Sequence, residues 1–351
     1  MNFVGQWIGA LRTDGIDEAG VASLSIEKDR PELALGCISQ GAGIPPGRVW
    51  LKYQVAGDTF TASNATPPEV FDPATLRLVA PAEHPRAKDF TYSLEIKVEG
   101  RIEGGAISGT WSGNSGAAGT FHLVNAQGEA TAPERTLSWS DFKAYCSDVL
   151  FTTGADHLFR GQGTSSHRLT TTFHRLGRYD LIRYREEACG RLVREFNARL
   201  GRRYDLSNGV DFGAVLSLAQ HHGFPTPLLD WTRSPYIAAY FAFTSPSCGA
   251  DNVRIFVLDG NSWGALPQVA TITDPTPTVS IREFEAYDNP RHIPQQSIHT
   301  FSNIADIEGW FRYVGDLRHT RYVTTIDIPR TDRDAALREL AYMGVTAATI
   351  L

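Results

Sequence analysis

Cysteine is scarce in this chain, and the four that occur, Cys37, Cys146, Cys189 and Cys248, stand far apart. Without a Cys-x-x-Cys pair there is no zinc ribbon, redox dithiol or disulfide framework, so four reduced, mostly buried thiols are expected. His-Glu-x-x-His, Gly-x-Ser-x-Gly and the lysine-bearing P-loop spacing are also missing. That removes support for a zinc hydrolase, a serine esterase or a P-loop nucleotidase, and no metal is predicted. Positive charge is not in excess: the net charge is −6, so the molecule as a whole has no attraction for nucleic acid or anionic lipid. No apolar run reaches the roughly 18 residues that span a bilayer. The N-terminus, MNFVGQWIGALRTDG, lacks the basic and long apolar regions of a secretory signal. A soluble cytoplasmic protein with no membrane partner is the expectation.

What is present is ordinary globular composition, 42% hydrophobic and 21% charged over 351 residues, which is enough for two domains. The first part alternates with period two. In FTYSLEIKVEG, Phe90, Tyr92, Leu94, Ile96 and Val98 fall on one face and Thr91, Ser93, Glu95, Lys97 and Glu99 on the other, which predicts a half-buried antiparallel strand. VGQWIGALR, GVASLSI, RVWLKYQV, DTFTAS, GGAISGTWSG and AAGTFHLV read as further short strands between Gly, Pro, Asp and Asn turns. The prediction is an all-β antiparallel barrel or sandwich over residues 1–128, with no long helix before about residue 135. Gly5-Gln6-Trp7 and Gly109-Thr110-Trp111 put a bulky ring beside close-packed backbone, as core packing or as ligand lining.

Between Asn125 and Thr136 periodicity is lost, so residues 129–136 are read as a linker and 137–351 as a mixed α/β domain, an α+β protein overall. Ser138 or Ser140 is expected to cap a helix to about Leu150, with DHLFR following as a strand. Leu181, Tyr184, Ala188, Leu192, Phe196 and Leu200 predict one amphipathic helix. FGAVLSLAQHH reads as a helix stopped by Gly223, PTPLLDW as an extended segment, and SPYIAAYFAF as a buried helix begun by Ser234 and Pro235. VRIFVLDG follows as a core strand.

Three stretches, LFRGQG at 158–163, LAQHHGFPTPLLDWTRSPYIAAYFAF, and RHIPQQSIHT at 291–300, resemble the FRG domain family, named for the Phe-Arg-Gly that here is Phe159, Arg160 and Gly161. The middle motif of that family, Q-H-x-G-x-P-T-x-L-L-D-W-T, is matched by Gln220, His221, Gly223, Pro225, Thr226, Leu228, Leu229, Asp230, Trp231 and Thr232. The late motif is matched by Arg291 and Gln295, with Ser297 and His299 where glycine and phenylalanine are usual. The resemblance implies a module of bacteria or phages, found near defence or toxin genes.

The order of these segments is also similar to the three-part signature of ADP-ribosyltransferases, which implies NAD as substrate. Arg160 would hold the diphosphate or ribose through its planar fork, aided by Phe159, Gly161, Gln162 and Arg291. Thr232 and Ser234 would position the nicotinamide ribose, with Trp231 able to stack a planar ring. Gln295, on a late strand, would stand where a transferase usually has glutamate, with Glu283-Phe284-Glu285 as a nearby replacement; Gln220, His221 and Asp230 complete the expected set.

Each residue has a plainer reading. Arg160 would pair with the Asp230 carboxylate as a structural salt bridge. His221, like His222, would serve a helix C-terminus, and Trp231 would anchor the core. GQGTSS at 161–166 would be a mobile loop over the site. From Arg175 to Arg203 there are nine arginines against four acids, either a solvated face with pairs such as Glu187 with Arg191, or a contact for nucleic acid or protein in a non-catalytic binding module.

Overall fold

The computed structural model describes residues 3–38, 44–125, 130–152, 154, 156–246, 248–269, 271–285 and 291–350. The N-terminal part closes into an antiparallel barrel. Its strands are β1 (Gly5–Thr13), β2 (Gly20–Ile26), β3 (Glu32–Ile38), β4 (Gly47–Ala56) and β5 (Thr59–Asn64), then, after a side hairpin of β6 (Glu69–Asp72) and β7 (Arg77–Val79), β8 (Ile96–Glu103), β9 (Ala106–Gly113) and β10 (Ala118–Asn125). β10 returns to β1 and β3 pairs β4, so the eight main strands leave no free edge among themselves. Period-two alternation puts Trp7, Leu24, Leu33, Leu51, Phe60, Val98, Ile107 and Leu123 inside. Gly109 is required there, since a Cβ would lie 2.0 Å from the Glu99 carbonyl oxygen on the neighbouring strand.

Barrel, not sandwich, is the outcome, and β3, β6 and β7 join the strands read from the sequence. The strand predicted over Phe90–Gly100 begins only at Ile96. Before it, the Asn114 side chain accepts the N–H groups of Leu94 and Glu95, and the Asn64 side chain accepts that of Ile96, so side chains take the place of a neighbouring strand. Leu94, expected inside, is exposed.

The second part is a seven-stranded sheet. In chain order it comprises β11 (Arg135–Thr136), α1 (Trp139–Thr152), β12 (His157–Gln162), α2 (Thr172–Arg175), α3 (Leu181–Arg183), a π-helical turn at Tyr184–Cys189, α4 (Gly190–Arg199), α5 (Gly209–His221), β13 (Leu228–Thr232), α6 (Pro235–Thr244), β14 (Asn252–Asp259), α7 (Gly260–Gly264), β15 (Val279–Arg282), β16 (Ser297–Ser302), α8 (Ile307–Arg318), β17 (Val323–Pro329), α9 (Arg333–Tyr342) and α10 (Ala347–Ile350). The strand order is β11-β17-β14-β12-β13-β16-β15, antiparallel except for β11 beside β17.

Buried helix α6 lies with α1 and α9 on one face, over Phe159, Val253 and Ile326. Leu158, Trp231 and Phe256 face the opposite core with Trp263 and Phe311. Ser138 caps α1, accepting the Asp141 N–H at 3.1 Å. The single helix predicted over Leu181–Leu200 is interrupted by the π turn, and Glu187 meets Arg183 and Arg30 rather than Arg191. Of the expected linker, residue 129 lies outside the described part, as do residues 126–128 before it. Beyond them Thr131 bonds the Glu308 carboxylate and Glu134 donates its N–H to the Thr325 carbonyl.

The two parts meet through charged and polar groups. Glu27 accepts the N–H groups of Tyr179 and Asp180 at 2.8 and 3.1 Å, and Asp180 takes the Trp50 indole N–H at 3.0 Å with Arg48 at 3.5 Å. The Gln6 side chain bridges the Asn303 carbonyl and the Ala305 N–H. Among the described residues no helix is long and apolar enough to cross a membrane.

Candidate functional site

β12 and β13 are neighbours, yet they share a single registered pair, Phe159 with Thr232. Beyond that pair the strands part, and the Arg160 guanidinium reaches across, its Nη1 donating to the Asp230 carbonyl oxygen at 2.6 Å. A recess of about 360 Å3 opens there. It is walled by β12, the end of α5, β13, α6 and the turn that leads into β16.

Ten of the residues expected from sequence line it: Phe159, Arg160, Gly161, Gln220, His221, Asp230, Trp231, Thr232, Arg291 and Gln295. Gln162 and Ser234 do not. Two larger recesses exist, of about 520 and 510 Å3, but neither contains a residue of the three motifs.

Arg160 is half-buried, and its Nε is buried without a hydrogen-bond partner. Burial draws its pKa down from the usual arginine range, against the opposing pull of the Asp230 charge. The expected Arg160–Asp230 carboxylate bridge is not what forms: the contact is to the main chain. The carboxylate instead accepts the Gln220 amide at 2.8 Å and lies 3.4 Å from His299 Nε2.

Gln220 is the clamp of the middle motif. Its amide nitrogen also reaches the Leu228 carbonyl, and its oxygen accepts the Thr226 hydroxyl, which ties the end of α5 to the start of β13. Gly223, at φ +76°, turns the chain between them.

Several roles drawn from the resemblance are displaced. The Trp231 ring is buried in the core with its indole N–H on Thr300 Oγ1 at 3.0 Å, so it offers no stacking face. Thr232 donates its hydroxyl to the Gln295 carbonyl at 2.7 Å, and Ser234 caps α6 by accepting the Ile237 N–H, so both hydroxyls serve the local turn. Gln295 is not on a strand: it sits in the turn before β16, and its amide donates to the Ile350 carbonyl at 2.8 Å. Glu283 pairs with Arg233, and neither it nor Glu285 lines the recess.

Nor do residues 161–166 form a loop over the site. Gly161 and Gln162 belong to β12, a Cβ on Gly163 would meet the Pro246 carbonyl at 2.5 Å, and Thr164 is buried. Gly161 is there for packing as well, since a Cβ would stand 1.9 Å from the Ala238 oxygen of α6.

Two lining residues have more chemistry than the sequence reading gave them. His299, one of the departures from the family pattern, pairs directly across the strands with Asp230. It is buried, its Nδ1 has no partner, and its pKa is lowered by burial, with His292 adding to the shift and Asp230 opposing it. Ser217 lies one turn before Gln220 and His221, and its hydroxyl is also buried and unpaired. Helical spacing was the available signal for Ser217. His299 required the register of β13 on β16, which is regular in spite of the departures.

His221 is half-buried, with its pKa lowered first by burial and then by Arg291 and His222. In the arginine-rich segment, Arg178 pairs with Glu27, Arg183 with Glu32, and Arg202 with Asp211, while Arg175 and Arg185 bond main-chain carbonyls. Arg191, Arg194, Arg199 and Arg203 are exposed.

Residues 155–250 match the family model of the FRG domain, within the 137–351 domain read from the sequence and short of the late motif. Searches among curated proteins and among solved structures give no match to the chain. The chain carries an FRG domain at residues 155–250.

Proposed function

We propose that the recess takes the nicotinamide ribose phosphate half of NAD and that the protein is an ADP-ribosyltransferase-like effector of the defence or toxin type implied by the FRG resemblance. One observation carries this reading: segments distant in the chain bring a half-buried arginine, with a buried donor atom to spare, beside Asp230, the one carboxylate of the described lining. The arginine fork suits a phosphate, and exposed Arg291 at the rim adds charge of the same sign.

Asp230, not Gln295, then takes the part of the missing glutamate. Its carboxylate is aimed by Gln220 and His299 and would stabilise positive charge developing at the ribose anomeric carbon. The bond from that carbon to nicotinamide breaks, and nicotinamide leaves with the electron pair. A hydroxyl or amine of the acceptor, or water, forms the new bond to carbon, and His221, held neutral, takes its proton. A volume of about 360 Å3 suits half of a dinucleotide, with the adenosine end outside.

Titration calorimetry with NAD and nicotinamide mononucleotide, and release of free nicotinamide, test the reading. Arg160→Lys is expected to weaken binding about tenfold by losing the fork. Asp230→Asn is expected to retain binding and lower release on the order of a hundredfold or more. Absence of binding by the wild type, or equal binding by Arg160→Ala, defeats the proposal. The exposed arginines of α4 support the alternative of a phosphate-backbone contact, for which steep salt dependence of RNA or DNA binding is the mark.

A further inference from the structure

We infer that the interior of the N-terminal barrel is a binding site for a small neutral apolar molecule of about the size of benzene. An eight-stranded barrel has a width set by its strand number, and its interior is filled by side chains or left to hold one small ligand. Here the two halves of the interior differ. One is plugged by aromatic rings, Phe3 lying 5.4 Å from Phe60, 5.5 Å from Tyr53 and 6.4 Å from Trp7. In the other, small residues such as Ala22 and Cys37 point inward, and a cavity of about 100 Å3 remains.

The chemistry of the lining selects the occupant. Leu24, Leu35, Val49 and Phe121 offer no donor or acceptor. The Trp111 indole N–H is already bonded to the Arg12 carbonyl at 3.1 Å, and burial pushes the Cys37 thiol up to about 11, so it remains uncharged. Water in such a space would find none of the two to four polar partners it needs, whereas an apolar molecule gains dispersion contacts on every side. Access is present as well: Leu11, Leu35, Ile96 and Trp111 are only half-buried, in contrast to the sealed Leu24, Leu51 and Leu123, and they form a rim at one end.

The test is a titration of the full chain, methyl-labelled at Leu and Val, with benzene, followed by NMR and repeated with Ala22→Leu and Cys37→Leu, each of which fills the cavity from a different strand. The expected result is saturable, one-to-one shifts of the Leu24, Leu35 and Val49 methyls in the wild type and their loss in whichever filled variants keep the native amide fingerprint. A wild-type spectrum that does not respond, or shifts that survive in a folded filled variant, overturns the inference. Neither outcome bears on NAD binding, which is read separately.

Discussion

At the scale of single residues, His174 gives the protein a predictable acid sensitivity. It is buried, its Nδ1 is 2.7 Å from the Thr171 hydroxyl, and its Nε2 has no partner, so burial brings its pKa down to about 3. The folded state therefore keeps it neutral while the unfolded chain takes up a proton below about pH 6.5. Its contribution is complete above that unfolded value and is lost as the pH falls, by about 2 kcal/mol at about pH 5. Urea unfolding at neutral pH and at about pH 5 should detect the loss, and His174→Gln should remove that share of the slope. His299 pulls in the same direction. Residue identity was readable at the site because Arg160, Gln220, His221 and Asp230 fall in dense motifs. Their partners were not: that Arg160 meets a carbonyl and Asp230 meets His299 depends on how far two strands separate, which no local pattern encodes.

At the scale of elements, α6 and β12 touch through a glycine. Replacing Gly161 by Ala would set a methyl 1.9 Å from the Ala238 oxygen, a main-chain atom that cannot turn aside. A loss of about 3 kcal/mol is expected from forced separation of helix and strand. It would be measured by chemical denaturation, with disturbed amide signals in both elements. Periodicity identified α5, α6, β14 and most barrel strands, because each buries one face or all of its surface. It failed at Phe90–Glu95, where alternation is perfect but Asn114 satisfies the backbone, and at Tyr184–Cys189, where nothing in the residue types announces a π turn.

At the scale of the molecule, the change in composition near residue 130 was visible, but the seam between barrel and sheet was not, since Arg48 and Asp180 are 132 positions apart. Asp180 caps α3 and receives Trp50 and Arg48, and both side chains of the Arg48–Asp180 pair are buried. Asp180→Ala should cost on the order of 3–5 kcal/mol by stranding the Arg48 charge. Adding Arg48→Met should restore part of it in a double-mutant cycle read by thermal unfolding. The parting of β12 from β13 has a consequence of its own. The recess is a fork in the sheet, pivoting on Phe159 and Thr232, with one tine fastened to β14 by six registered pairs and the other to β16 by five. Widening it would shear a ladder, so its gauge belongs to the main chain, and side-chain changes there will alter which charge is admitted more readily than which size.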